Sequence, residues 1–223
     1  MRPADADLVR RDRNLPDLPL LLDSDRLTAR LERTLGRYSV DGVEVRYLRY
    51  KPGQACVASC RASVNGQQVD FVAKAYRPGA VDKFRKVLAR ASVPGPMGPG
   101  RFVLHDSTVL ISVFPNDGRL EPLARLASRE SLAELAARLG ERPRAAVRLE
   151  TLRHNPERRF VGRLTVDEKD AATVRCYTRQ DFPGIAAKAG ALRSRGPLRL
   201  ARRLARRKRW RLLAFEWLHG SLL

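Results

Sequence analysis

The pattern of apolar and polar positions changes period several times along the chain, and each change marks an element. Residues 43–50 form a β-branched and aromatic run read as a strand. It stops at Lys51-Pro52-Gly53-Gln54, where Pro fixes φ and Gly permits a left-handed residue. A second strand is expected over residues 55–64, a turn at Asn65-Gly66, and a third strand over residues 69–76. After Pro78-Gly79, the apolar residues Val81, Phe84, Val87 and Leu88 recur at helical spacing. A Pro/Gly loop over residues 94–100 then leads to strands near 102–105 and 109–114. The predicted unit is therefore three strands, a helix and two strands.

Laid on itself, the chain repeats this pattern. Residues 48–57 match 152–161 at a shift of 104, and residues 73–76 match 174–177 at 101. Gly95-Pro96-Met97 matches Gly196-Pro197-Leu198 at the same shift, and residues 110–113 match 212–215 at 102. In the second copy, strands are expected near 148–154, 159–166 and 171–177, a helix near 184–194, and strands near 198–204 and 210–218. Between the copies, residues 120–139 read as one or two amphipathic helices with Leu132, Leu135 and Leu139 on one face. A leading helix is expected over residues 23–36, capped by Asp23 or Ser24, with Leu27, Leu31 and Leu35 facing the core. The predicted fold class is α+β: two tandem units, each a twisted antiparallel sheet of about five strands with one helix. The expected divisions are a loosely held arm over 1–22, a first unit over 23–118, a helical linker over 119–147 and a second unit over 148–223.

Composition changes this picture little. A hydrophobic content of 43% in 223 residues suffices for one large or two small cores. Asp5, Asp7, Arg10 and Arg11 precede only a short apolar patch, which excludes a secretory signal or membrane span there, and a cytoplasmic location is expected. The formal charge of +20 would attract polyanions, but only seven of the 44 basic residues are Lys and the Arg residues run along the whole chain. The charge is read as compositional and nucleic acid is not an expected partner. Cys56 and Cys60 lie about 13 Å apart on a strand, too far to share a bridge or a metal, and are read as buried small hydrophobes. His105, His154 and His219 share no metal spacing with one another or with the cysteines, so no metal ligand is assigned.

The segments 48–56, 72–76, 152–161 and 213–218, taken in order, resemble bacterial phosphotransferases of the aminoglycoside phosphotransferase superfamily, a branch of the kinase-like proteins. The resemblance spans about residues 18–220 and implies two kinase-type amino-terminal-lobe units ahead of a catalytic lobe. It further implies ATP with Mg2+ as cofactor, a first hairpin turn over the phosphates, a third-strand cation paired with them, and a hinge that holds the adenine. The matching residues in the first copy are Lys51, Gly53 and Lys74, with a hinge at residues 113–115. In the second copy they are Asn155, Arg158 and Arg175, with Phe215, Glu216, Trp217 and Leu218 at the hinge.

Several residues depart from the family pattern. Arg175 stands where a Lys is expected, and its guanidinium is not a point charge. The following helix holds no Glu to pair with it, Asp181 being the nearest acid. The catalytic Asp and the metal-binding residues of this chemistry belong to the lobe after the hinge, so no catalytic residue is assigned and turnover is not expected from this chain alone. His219-Gly220-Ser221 is read as a chance likeness to a catalytic loop.

Plainer roles stand beside these. Lys74 and Arg175 could be exposed cations whose stems cover apolar surface, and Tyr76, Tyr177, Phe215 and Trp217 could be packing residues. The basic run 202–211 is read as a solvated loop between the last two strands. The chain is expected to be the nucleotide-binding portion of a small-molecule phosphotransferase. The alternatives are a pseudokinase-like scaffold and a basic nucleic-acid binder. An apolar carboxyl-terminal face with Phe215, Trp217, Leu222 and Leu223 is expected to meet a missing lobe, a partner protein or a second copy.

Overall fold

The computed structural model describes residues 1–142, 145–191 and 199–219. It forms two compact units, Met1–Gly118 and Arg119–Leu223, each built on its own five-stranded antiparallel sheet. The α+β class and the two tandem sheets agree with the sequence.

The first unit begins with helices α1 (Pro3–Arg11), α2 (Leu18–Leu22) and α3 (Ser24–Leu35). Asp23 caps α3, its carboxylate accepting the Arg26 N–H at 3.2 Å. Strands β1 (Val40–Lys51), β2 (Ala55–Val64) and β3 (Gln67–Tyr76) follow, then α4 (Val81–Leu88), β4 (Arg101–Val103) and β5 (Val109–Val113). The sheet order is β1-β2-β3-β5-β4. Asn65 and Gly66 join β2 to β3 with φ of 49° and 77°, the paired positive values that a two-residue type I′ hairpin demands.

One correction concerns the amino terminus. The segment expected as a loose arm is held by Leu15, Leu18, Leu20 and Leu21, which are buried in one core with Leu27, Leu31, Cys56, Phe71 and Ile111. Burying such a side chain contributes about 1.5–3 kcal/mol, and the four leucines together offset much of the entropy lost in ordering residues 15–22. The opposite face of the sheet carries α4, whose Phe84 and Val87 pack on Tyr76, Leu110 and Val103. Leu88, expected on that apolar face, is the last residue of α4 and is exposed.

The second unit opens with α5 (Leu123–Leu126) and α6 (Arg129–Ala137), the latter capped by Ser128. Strands β6 (Val147–Asn155), β7 (Arg159–Val166) and β8 (Lys169–Tyr177) lead to α7 (Phe182–Ala191), β9 (Arg203–Arg207) and β10 (Leu212–Glu216). The order β6-β7-β8-β10-β9 repeats that of the first sheet. Phe160, Leu164, Ala172, Val174, Cys176, Leu212 and Ala214 are fully buried and, by strand alternation, share one face. Tyr177, Leu213 and Phe215 lie on the other, beneath Phe182 and Ala186 of α7.

The basic run 202–211 also differs from expectation. Residues 203–207 are the edge strand β9, not a loop, and their side chains are engaged. Arg203 donates to the Ala186 carbonyl at 3.0 Å, Arg207 pairs with Glu134, and Arg206 lies over the Phe182 ring. Charged side chains suit an edge strand because they discourage further pairing. The helix end expected to reach 194, the Gly196-Pro197-Leu198 anchor, Gly220-Ser221 and the pair Leu222 and Leu223 lie outside the described residues.

Candidate functional site

The two hairpin turns that the repeat aligns have one backbone plan. Lys51 carbonyl accepts the Gln54 N–H at 3.1 Å, and Asn155 carbonyl accepts the Arg158 N–H at 3.1 Å. A proline follows the first residue of each turn, and the third position is left-handed in both: Gly53 with φ 63° and Glu157 with φ 62°. Glycine adopts that conformation freely, whereas glutamate holds it against a cost of about 1–2 kcal/mol.

The first turn carries an anion of its own. The Asp12 carboxylate, just past α1, accepts the Gly53 N–H at 2.8 Å, the Tyr50 hydroxyl at 2.7 Å and the Asn14 N–H at 3.1 Å. Burial opposes the charge on Asp12, but the three donors together hold its carboxyl below the usual aspartate range. Burial and the same carboxylate push Tyr50 up to about 12. Lys51, on the same turn, is exposed.

Lys74 and Arg175 occupy equivalent places on the third strand of each sheet. Lys74 pairs with Val57 and Leu110 on its neighbours; Arg175 pairs with Val161 and Leu213. This register moves the last anchor by one residue, because Leu110 corresponds to Leu213 rather than to Leu212. Lys74 Nζ lies 5.0 Å from the Tyr76 ring, and the Arg175 guanidinium lies 4.8 Å from the Phe215 ring. Both cations stand on the face that carries the helix after the third strand, with Tyr76 and Leu110 under α4 and Tyr177 and Leu213 under α7.

Of the expected hinge residues, Phe215 is buried under α7, while Glu216 leans outward within 3.7 Å of Arg199 and 3.9 Å of Arg202. Trp217 is half-buried with the Arg163 guanidinium 5.7 Å from its ring, and Leu218 is half-buried. In the first unit the corresponding segment runs into Asn116, whose side chain bonds the Val93 N–H and carbonyl, each at 2.9 Å, and ties that segment to the start of the Pro/Gly loop. The structure thus brings Arg175 to Phe215 and adds Arg163 beside Trp217. Sequence reasoning passed over Asp12 and Arg163. Asp12 bonds across 41 residues and has no local signature, whereas Arg163 was readable from the period-2 alternation of β7.

All three cysteines are buried, and burial pushes Cys56 and Cys176 up to about 12. Among the described residues, no cluster of three His, Cys, Asp or Glu side chains stands ready for a metal ion. No helix among them is long and apolar enough to cross a membrane. Comparison of the chain with protein-family models, with curated proteins and with solved structures finds no match.

Proposed function

We propose that the second unit is a nucleotide-binding lobe of the kinase type, belonging to an ATP-dependent small-molecule phosphotransferase similar to the aminoglycoside phosphotransferases. The observation that carries this reading is the register equivalence of Lys74 and Arg175, each on the third strand of a β1-β2-β3-β5-β4 type sheet with a helix inserted after it. In this reading Arg175 meets the phosphates in place of the usual Lys, the Asn155 to Arg158 turn covers them, and the backbone of Phe215, Glu216, Trp217 and Leu218 meets the adenine. A bidentate guanidinium favours phosphate recognition, while the acceptor and the magnesium ligands fall to a catalytic lobe or partner. The first unit is the supporting copy, since a carboxylate already sits on its turn.

Calorimetric titration of the purified chain with ATP and MgCl2 tests this. One nucleotide site is expected, weakened at least about tenfold by Arg175→Gln and unchanged by Lys74→Gln. Absence of binding at millimolar ATP, or equal sensitivity to both substitutions, would reject the reading.

A further inference from the structure

The face around Val161 in β7 differs from its counterpart around Val57 in β2. Arg153 on β6 and Arg175 on β8 stand directly opposite Val161, and Arg159 and Arg163 lie two residues before and after it on the same strand. Strand alternation puts all four guanidinium groups on one side of the sheet. In the first unit the same cross around Val57 is Arg49, Lys74, Ala55 and Ser59. The second copy therefore has arginine at two positions where the first has small side chains. A general excess of arginine does not account for this, because the two copies belong to one chain and one fold. The basic excess is itself uneven: residues 119–223 hold 25 Lys and Arg against 11 Asp and Glu, and residues 1–118 hold 19 against 13.

Concentrating like charge on neighbouring positions is unfavourable. Residues directly opposite on adjacent strands lie about 5 Å apart at Cβ, inside the roughly 8 Å over which physiological salt screens charge. Among the described residues, acids relieve only Arg163. Arg163 pairs with Glu150, donating from Nε at 3.1 Å and from a terminal nitrogen, and lies 3.6 Å from Asp170. Among the described residues Arg153, Arg159 and Arg175 form no ion pair; Arg153 Nε donates to the Asn155 amide oxygen at 3.1 Å. Arg175 is held in place with its guanidinium on the Phe215 ring, and its Nε is buried without an acceptor. Arg159 and Arg175 are half-buried and Arg153 is exposed, so the cluster is anchored at its centre and open at its edge.

We infer that this arginine cross is a binding site for a phosphate chain, held by guanidinium groups without a bridging metal ion. The ligand chemistry is that of tripolyphosphate or of the triphosphate tail of a nucleotide. Planar forked donors match phosphate oxygens two at a time, and three unpaired cations balance most of the charge of such a chain. The inference uses the face named in the reading above but not its adenine contact, so the two can fail separately.

Titration of the whole chain with sodium tripolyphosphate and with ATP, in EDTA at 0.1 M salt, is the test, with thermal melts confirming that each variant is folded. Tripolyphosphate is expected to bind without metal and to weaken steeply with salt. Arg159→Ala, which gives β7 the residue found at Ala55, and Arg153→Gln should each weaken it about tenfold or more, Arg159→Lys less, and Lys74→Gln not at all. No binding in EDTA, binding only with magnesium, or equal losses in Lys74→Gln would overturn the inference. ATP binding with magnesium alone would overturn it while leaving the kinase-type reading intact. Equal affinity for tripolyphosphate and ATP would uphold the arginine cross and remove the adenine site. Binding of a single-stranded oligonucleotide without tripolyphosphate binding would overturn it in favour of a nucleic-acid surface.

Discussion

The Asp12 carboxylate closes on the Gly53 N–H at 2.8 Å, joining the end of the first helix to a hairpin turn 41 residues away. Tyr50, the next-to-last residue of β1, shares the same oxygen through its hydroxyl at 2.7 Å. With only 8% of Asp12 exposed, the contact is a buried, charge-assisted one, and it fixes the turn from outside the sheet.

Asp12→Asn is therefore expected to destabilise the first unit by about 1.5–3 kcal/mol at pH 7, read from urea denaturation. The folded carboxyl titrates below its unfolded value, so its contribution is complete above about pH 4 and fades as the pH falls below that. The gap between wild type and variant should narrow toward pH 3. Tyr50 has the opposite sign: raised to about 12, it contributes below pH 10 and loses that contribution between about 10 and 12. A gap that stayed constant from pH 7 to pH 3 would show that the carboxylate charge is not what holds the turn.

The two turns should answer substitution in opposite directions. Gly53→Ala places a side chain at φ 63°, with its Cβ 3.4 Å from the Asn14 amide nitrogen, and is expected to cost about 1–2 kcal/mol. Glu157→Gly relieves the same strain in the second unit and is expected to stabilise it by up to about 1 kcal/mol. Paired thermal melts check this, and a gain for Gly53→Ala would contradict the shared turn geometry.

Gly162 tests the packing of the second sheet. A Cβ there would stand 2.8 Å from Leu149 Cδ1, 2.9 Å from Phe160 Cε1 and 3.1 Å from the Glu150 carbonyl oxygen. Gly162→Ala is expected to cost about 1–3 kcal/mol by overpacking, seen as a lower denaturation midpoint. An unchanged midpoint would mean that β6 is not seated over Gly162 as described.

The thiols give a chemical test. Cys56, Cys60 and Cys176 are buried and burial raises all three, so the nucleophilic thiolate is scarce and shielded. A thiol-reactive dye at pH 8 should label none of them in the native protein and all three in guanidinium. Rapid native labelling of any one would place it outside its core.

Much of the fold was legible because strand alternation and turn residues are local signals. The β2 range 55–64 and the β7 range 159–166 were read from the sequence as they stand, and the Asn65-Gly66 turn followed from backbone preference alone. Residues 1–22 carry no such local signal: Leu15, Leu18, Leu20 and Leu21 show no long helical period, and their role depends on a sheet surface formed much later in the chain. The strand at 203–207 was hidden by its arginines, which read as solvated until Ala186, Phe182 and Glu134 supply partners. Third-strand cations were visible as single residues. The arginine cross was not, since it needs the register of three strands at once.

The Asp17 carboxylate accepts the Thr108 hydroxyl at 2.7 Å across 91 residues, and this distance in sequence bears on how the protein is made. Helix α2 can pack on its neighbours α1 and α3 early, but the core that buries Leu18 and Leu21 with Phe71 and Ile111 is complete only when those strands have been synthesised. At a translation rate of about 5–20 residues per second, some 5–20 s separate the appearance of that leucine patch from the arrival of β5. During that interval the nascent chain presents an uncovered apolar segment, the condition under which slow synthesis favours aggregation over folding.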